Sequence, residues 1–232
     1  MYTYTLMIRQ NNHSHEEGTD HPISKMLLAR AARFEDELIA GYEAVKQHDK
    51  TVTFFGSARF TEDNPYYQKA AELAKLICKE GYTIITGGGG GIMEAGNRGS
   101  KDACNISVGF NIELPFEQSL NSHVTQGVNF SFFASRKVAL YFSGEAYVFF
   151  PGGYGTLDEF FQILTLMQTH KRPVLPVICV GSHYWKNIDS MIKTTLLQEN
   201  ETISPKDVDL YTITDDNEEI LELVKNSSNH TD

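Results

Sequence analysis

The chain has 232 residues, of which 41% are hydrophobic and 22% charged, and its formal net charge at pH 7 is −10. These proportions are typical of a soluble globular protein and exclude a disordered, collagen-like or coiled-coil chain. The acidic balance argues against a broad surface for nucleic acid or anionic membrane, which requires a basic face, but local donors can still hold a small anionic ligand.

The chain ends and the cysteines predict a cytoplasmic protein. Residues 1–20 hold no apolar block typical of a signal peptide, and we expect a frayed tail in which histidines 13 and 15, with the nearby His21, bind no metal. The longest apolar run, residues 174–180, is far shorter than the roughly 20 residues that cross a bilayer. Three widely spaced cysteines, Cys78, Cys104 and Cys179, predict buried reduced thiols without a disulfide framework, as in a reducing compartment.

Hydrophobic periodicity predicts a regular alternation of strands and helices after an amphipathic lead-in helix over residues 23–46. We predict strands at 51–55, 82–86, 106–110, 146–150, 174–180 and 208–213, and helices at 65–80, 92–102, 132–142, 156–169, 184–198 and 217–224. Apolar strands that are each followed by a helix predict an α/β fold. We expect a single doubly wound Rossmann-like domain over residues 21–226, with a mostly parallel sheet, helices on both faces, and tails at 1–20 and 227–232.

Five consecutive glycines, Gly87 to Gly91, follow the second predicted strand and precede a helix. Such a loop brings backbone N–H groups close to an anion, and the helix N-terminus adds partial positive charge. The run is not a P-loop, because Ile92 stands where that motif needs lysine. It indicates a phosphate cradle, and a tight strand-to-helix turn is the structural alternative.

A second glycine loop, Pro151 to Gly155, follows the fourth predicted strand, so two loops stand at strand ends where doubly wound folds bind ligands. Thr156 and Glu159 also fit a capping box, which would explain both residues without a ligand, and this alternative stays open. Arg136 offers a planar fork suited to phosphate, whereas Arg59 is more typical of a surface cation.

Three segments resemble the motifs of the Lonely Guy (LOG) family, long labelled lysine decarboxylase-like. They are Thr86–Gly99 (TGGGGGIMEAGNRG), Arg136-Lys137 and Pro151–Glu159 (PGGYGTLDE); residues 55–59 and 203–216 resemble the longer bacterial members. The resemblance covers roughly residues 51–224. It implies a cofactor-free homodimer, or an assembly of dimers, that hydrolyses the N-glycosidic bond of AMP or a cytokinin riboside 5′-monophosphate to free base and ribose 5-phosphate.

The resemblance also implies roles for individual residues. Arg136 and Glu159 match the catalytic positions. Together with the glycine loops, it gives these expected substrate-binding residues: Gly56, Ser57, Gly88, Gly89, Gly91, Glu94, Lys137, Gly152, Gly153, Tyr154, Gly155, Thr156 and Thr165. This chain departs from many members at Gly90, where they have proline, and at Gly96, where they have alanine. Both changes are expected to loosen the loop and the start of its helix.

The residues support this chemistry independently. Cleavage of a ribosyl C1′–N bond builds an oxocarbenium-like cation, which a carboxylate such as Glu159 stabilises. Arg136 stays protonated and is a poor general acid, so we expect it to bind phosphate or stabilise the departing base. Glu94 could accept hydrogen bonds from ribose hydroxyls.

Of three other functions, a nucleotide sensor is the main alternative, an oxidoreductase has little support, and a decarboxylase is rejected. A non-catalytic nucleotide sensor would use the same loops, but would not obviously need Arg136 and Glu159. A dinucleotide-dependent oxidoreductase has no support beyond the fold. A pyridoxal-dependent decarboxylase would need a Schiff-base lysine, and the only His-Lys pair, His170-Lys171, sits at a predicted helix end, where a structural role is expected. The lead-in helix and Phe130–Phe133 suit either core or dimer contacts.

Overall fold

The computed structural model describes residues 22–114 and 119–227, so the N-terminal tail with histidines 13, 15 and 21 lies outside the described residues, as do residues 228–232. The strands are β1 Thr51–Phe55, β2 Thr83–Thr86, β3 Val108–Ile112, β4 Gln126–Phe130, β5 Ala146–Phe149, β6 Val177–Cys179 and β7 Thr212–Ile213. The helices are α1 Pro22–Val45, α2 Pro65–Lys79, α3 Ile92–Cys104, α4 Phe133–Phe142, α5 Tyr154–Gln168, α6 Ser182–Met191 and α7 Asn217–Ser227.

The strands form one parallel sheet in the order β4-β3-β2-β1-β5-β6-β7. The strand order reverses between β1 and β5, where Phe54 pairs with Val148 and Phe55 with Phe149. The prediction of a doubly wound α/β fold is therefore confirmed. Crevices beyond the carboxyl ends of strands at such a reversal are the usual ligand sites of the fold.

Strand side chains alternate between two hydrophobic cores, one on each face of the sheet. On one face, Phe55 and Phe149 pack with residues of α4, α5 and α6, including Phe160 and Trp185. On the other face, the strands pack with residues of α2, α3 and α7. Because both faces are covered, β1, β2, β3 and β5 are buried along their whole length, which explains why apolar side chains predominate on both of their faces.

The predicted and observed elements differ in several details. The third strand lies two residues later than predicted, at Val108–Ile112, and the edge strand β4, Gln126–Phe130, was not predicted. The predicted helix 184–198 divides into α6 and a π-helix, Ile192–Glu199. The predicted strand 208–213 is reduced to two residues, because a 3₁₀ turn, Pro205–Asp209, with a Ser204–Asp207 capping box takes its first part.

The expectation of reduced thiols is wrong for two of the three cysteines. Cys78 and Cys104 form a disulfide with a Cα–Cα distance of 6.3 Å, whereas Cys179 is a buried free thiol. Helices α2 and α3 follow adjacent parallel strands and run side by side, and Gly99 permits close approach, since a Cβ there would lie 2.0 Å from the Ala71 carbonyl oxygen. This packing brings the C-terminal ends of both helices together, and it removes the unpaired-cysteine argument for a reducing compartment.

The lead-in helix α1 caps helix α4. The Glu37 carboxylate accepts hydrogen bonds from the backbone N–H groups of Ser131 (2.8 Å) and Phe132 (3.3 Å) and from the Ser135 hydroxyl. Burial alone would raise the pKa of Glu37, but these hydrogen bonds hold it below the usual value. Helix α1 thus fixes the start of the helix that carries Arg136. No helix in the described ranges is both long and apolar enough to cross a membrane.

Candidate active site

Ser57, just after β1, joins three turns at the carboxyl edge of the sheet. Its N–H donates to the Pro151 carbonyl (3.0 Å), and its carbonyl accepts from the Ile92 N–H (3.0 Å). A Cβ on Gly91 would lie 2.2 Å from the Ser57 carbonyl oxygen, and one on Gly152 would lie 3.0 Å from the Ser57 nitrogen. The two glycine loops therefore meet at Ser57, on the same edge of the sheet.

The first glycine loop, Gly87–Gly91, is held in place by a hydrogen-bond network of polar side chains. The Asn121 side chain donates to the carbonyls of Gly88 (3.1 Å) and Gly89 (2.9 Å) and to Asn97 Oδ1 (2.9 Å). The Gly88 N–H donates to Thr86 Oγ1 (2.9 Å), whose hydroxyl donates to Asn97 (2.7 Å). These bonds shape the turn, and they use the Gly88 amide that the sequence offered to phosphate.

The two departures from the family pattern lie in this region and differ in their surroundings. A Cβ on Gly90 would lie 3.4 Å from the Ala58 carbonyl oxygen, an ordinary contact. A Cβ on Gly96 would lie 3.2 Å from Thr86 Cγ2 and 3.3 Å from Phe54 Cδ2. Glycine at position 96 therefore allows α3 to pack closely on β1 and β2.

The second glycine loop leads into α5, which begins at Tyr154 with Gly153 as N-cap. The capping-box alternative is thereby excluded, because Thr156 is the third residue of the helix and no side chain caps the N-terminus. Instead, Thr156 packs against the turn, since a Cβ on Gly152 would lie 2.1 Å from Thr156 Oγ1. The first N–H groups of α5 have no intrahelical acceptor and stay available at this edge.

A cleft of about 740 Å³ opens at the meeting point of the turns, within the range that holds small-molecule ligands. Nine of the expected site residues line it: Gly56, Ser57, Arg136, Gly152, Gly153, Tyr154, Gly155, Thr156 and Glu159. The Tyr154 side chain is 95% exposed there. The cleft therefore combines an apolar wall, the start of α5 and a small number of charged groups.

Arg136 on α4 is buried, with 7% exposure, at the floor of this cleft. Its Nε donates to the Phe110 carbonyl (2.6 Å) and its Nη2 to the Gly87 carbonyl (3.1 Å). Burial lowers the pKa of Arg136, while the nearby Glu159 carboxylate opposes that change. Arg136 thus remains a fixed cation, anchored to the residue after β2 and to the middle of β3.

Glu159 on α5 faces the same cleft. Burial raises its pKa to about 7; Arg136 and Lys137 lower it, and the like charge of Asp158 raises it. Lys137 forms an ion pair with Asp158, so its charge is already partnered beside the cleft. The site thus places a half-buried carboxyl whose pKa is raised to about 7 near a permanently charged guanidinium, an arrangement typical of catalytic sites.

Six expected site residues do not line the cleft: Gly88, Gly89, Gly91, Glu94, Lys137 and Thr165. Glu94 accepts a long hydrogen bond from the Tyr67 hydroxyl (3.4 Å). Thr165 is exposed two turns after Glu159, and its hydroxyl donates to the Phe161 carbonyl (2.7 Å). Met93 on α3 lines the cleft instead, and its sulfur lies close to the first glycine loop, since a Cβ on Gly87 would lie 2.6 Å from it.

Sequence reasoning missed several lining residues. Tyr184 on α6 donates from its hydroxyl to the Gly152 carbonyl (2.8 Å) and so supports the second loop. Ile112, at the end of β3, also lines the cleft. Neither belongs to a short motif, because their places depend on the order of strands in the sheet. Within the described ranges, no group of three or more His, Cys, Asp or Glu residues could hold a metal ion.

Comparisons with known proteins identify the family and the fold. A family model described as "Possible lysine decarboxylase" matches residues 91–224. An uncharacterized protein of Archaeoglobus fulgidus is 32% identical over 98 residues, 42% of this chain and 63% of that protein. A protein of Oryza sativa subsp. japonica, named probable cytokinin riboside 5′-monophosphate phosphoribohydrolase, is 28% identical over 129 residues, 54% of this chain and 61% of that protein. The matches thus span less than two thirds of both relatives.

Among solved structures, the molybdenum cofactor carrier protein of Chlamydomonas reinhardtii aligns with a TM-score of 0.58 and 20% identity, over 78% of this chain and 98% of that one. At this identity the likeness shows a shared fold. The family match begins at Gly91, the last residue of the first glycine loop, and covers the second glycine loop together with Arg136 and Glu159.

Proposed function

Because this chain belongs to the family described as possible lysine decarboxylases, which is the LOG family, we propose that it is a nucleoside 5′-monophosphate phosphoribohydrolase. Its substrate in this proposal is AMP or a cytokinin riboside 5′-monophosphate, and its products are the free base and ribose 5-phosphate. The observation that carries the proposal is the pairing of half-buried Glu159 with buried Arg136 at one cleft. Simple nucleotide binding does not need a carboxyl of raised pKa at the cleft.

In the proposed reaction, water adds to C1′ as the C1′–N bond breaks. The bonding electron pair leaves with the base, and the proton released by water ends on the base. Ionised Glu159 stabilises the positive charge that develops on the ribose and orients the water. Because Arg136 stays protonated, it stabilises the negative charge on the departing base rather than donating a proton.

In this proposal, the phosphate and the base are also assigned to parts of the cleft. The second glycine loop supplies the free N–H groups of the α5 N-terminus for the 5′-phosphate. We favour this loop over the first, where Gly88 and Gly89 are buried and lie outside the cleft lining. The apolar wall, which includes Met93 and Ile112, remains for the base.

The test is to incubate the purified protein with AMP, a cytokinin riboside 5′-monophosphate and adenosine, and to measure free base by chromatography. We expect base release from the monophosphates, and Glu159→Gln should keep nucleotide binding but lose base release. Asp158→Asn is the matched control, since it removes the neighbouring exposed carboxylate and should retain turnover. Nucleotide binding without base release by the wild-type protein would contradict the proposal and favour a sensor.

We also propose that the protein forms a homodimer through α1 and α4. These two helices carry exposed apolar side chains: Ile23, Met26, Leu27, Leu28, Ile39, Tyr42, Phe133 and Phe142. Of the segment expected to serve either core or dimer, Phe130 is buried and Phe133 is exposed. Light scattering on the purified protein tests this assembly. A cytoplasmic location, where nucleoside monophosphates are made and consumed, is part of the same proposal.

A further inference from the structure

We propose that Arg59 binds the 5′-phosphate and makes the cleft selective for nucleotides over nucleosides. This inference rests on the proposed function and names the residue that recognises the charged end of the substrate. Arg59 follows β1 and lines the cleft with an exposed side chain. The sequence alone favoured an ordinary surface cation at this position, whereas the structure places Arg59 at the cleft.

The backbone that carries Arg59 is held in place on three sides. Ser57 bonds through its N–H to Pro151 of the second glycine loop and through its carbonyl to Ile92 at the start of α3. The Arg59 N–H in turn donates to Ser57 Oγ (3.1 Å). The backbone of Arg59 is therefore fixed at the mouth of the cleft. This lowers the conformational entropy that is lost when its side chain binds a ligand.

A phosphate dianion needs positive charge around it, and the charged residues of the cleft supply little apart from Arg59. Among the residues that line the cleft, Arg59 and Arg136 are the basic ones and Glu159 is the acidic one. Arg136 has fewer N–H groups left for a phosphate, because it donates to two backbone carbonyls and interacts with Glu159. In the described part of the chain, no ion pair or side-chain hydrogen bond occupies the Arg59 guanidinium, which can therefore bind a phosphate with two parallel N–H donors.

The second glycine loop provides the opposite wall of the same subsite. A Cβ at Gly153 or Gly155 would meet no atom within 4 Å, so open space lies in front of the uncapped start of α5. Gly152 packs against the nitrogen of Ser57, two residues from Arg59. A phosphate in this space would have backbone N–H groups and the helix dipole on one side and Arg59 on the other.

The experiment compares wild type with Arg59→Gln and Arg59→Lys, and uses Lys75→Gln as the matched control. Lys75 is an exposed cation on α2 that does not line the cleft, so its loss changes the net charge equally. We measure kcat and KM for AMP and for adenosine, and separately measure binding of AMP, ribose 5-phosphate and ribose by calorimetry. The binding measurements do not depend on turnover.

We expect Arg59→Gln to raise KM for AMP, and Kd for ribose 5-phosphate, by about tenfold to hundredfold, the usual effect of losing a hydrogen bond to a charged group. Its kcat for AMP, its action on adenosine and its affinity for ribose should change little, and Arg59→Lys should fall between it and wild type. Lys75→Gln should match wild type.

Affinity of Arg59→Gln for ribose 5-phosphate within twofold of wild type would overturn the inference, and so would a wild type that binds neither AMP nor ribose 5-phosphate. An equal loss of affinity for ribose and ribose 5-phosphate would show a merely structural role and also overturn it. If ribose 5-phosphate binding depends on Arg59 but wild type releases no base, the proposed function fails while the phosphate subsite stands.

Discussion

Lowering the pH through neutrality should switch off the proposed reaction by protonating Glu159. Burial, aided by Asp158, raises the pKa of Glu159 to about 7, and the carboxylate is the form that stabilises a cation on ribose. Activity should therefore rise with pH across this range and level off above it. The neighbouring Asp158 offers a way to move the transition without touching the reacting group.

The size of the effect follows from the pKa. With a pKa near 7, about a tenth of Glu159 is ionised at pH 6 and about nine tenths at pH 8, so kcat/KM should differ roughly tenfold between them. Asp158→Asn removes a repulsive charge and frees Lys137 from its ion pair. The ionised fraction at pH 6 should then rise roughly two- to threefold.

The assay is base release from AMP between pH 5 and 9 by wild type and Asp158→Asn. The phosphate of AMP also titrates in this range, but it does so identically for both proteins, so the difference between their profiles isolates the residue. Stability gives a second readout that needs no substrate. The unfolded chain loses the Glu159 proton near 4.5 and the folded chain near 7, so this group destabilises the fold as pH rises between these values.

Glu159→Gln should accordingly be more stable than wild type at pH 8, by at most about 3 kcal/mol, and similar to wild type at pH 4.5. Denaturant unfolding at the two pH values measures this difference. If the difference in free energy of unfolding between Glu159→Gln and wild type is the same at pH 8 and pH 4.5, burial does not raise the pKa of Glu159 as argued. If the rise of kcat/KM with pH stays in place or shifts to higher pH in Asp158→Asn, Asp158 does not raise the pKa of Glu159 as argued.

Two further substitutions test the scaffold of the site by denaturant unfolding. Gly91→Ala should lose roughly 2–4 kcal/mol, because φ is +65° and the new Cβ would collide with a backbone oxygen, whereas Gly90→Ala should change stability by less than about 1 kcal/mol; equal effects would contradict this packing. Glu37→Ala should lose about 2 kcal/mol at pH 7 by uncapping α4, and because the folded pKa is lowered, the loss should shrink as pH falls below 4.5; a loss that grows with acid would contradict the cap.

The central part of the fold could be predicted because its signals are local. Strands β1 and β5 are buried on both faces and consist of β-branched, aromatic and other apolar residues, and each is followed by glycine and then a helix. Both glycine loops could likewise be assigned to strand ends, so their meeting followed from the parallel topology. By contrast, β4 is an edge strand whose residues alternate between burial and exposure and include Gly127 and Asn129, so its pattern is weak.

The remaining features depend on contacts between distant segments. Pairing of Cys78 with Cys104 requires α2 and α3 to pack side by side, which no local pattern announces. Thr156 and Glu159 satisfy the capping-box spacing, but α5 starts two residues earlier, at Tyr154, because Gly153 is extended there. Tyr184 comes to the cleft from α6, and only the strand order places it there.

The bond between Cys78 and Cys104 also has a topological consequence. It closes residues 78–104 into a covalent ring that contains β2, the first glycine loop and the whole of α3. One break of the backbone anywhere inside this ring leaves both pieces tied to each other. The five-glycine segment therefore stays tethered to α2 after a single proteolytic nick, and reduction of the bridge is what would release it.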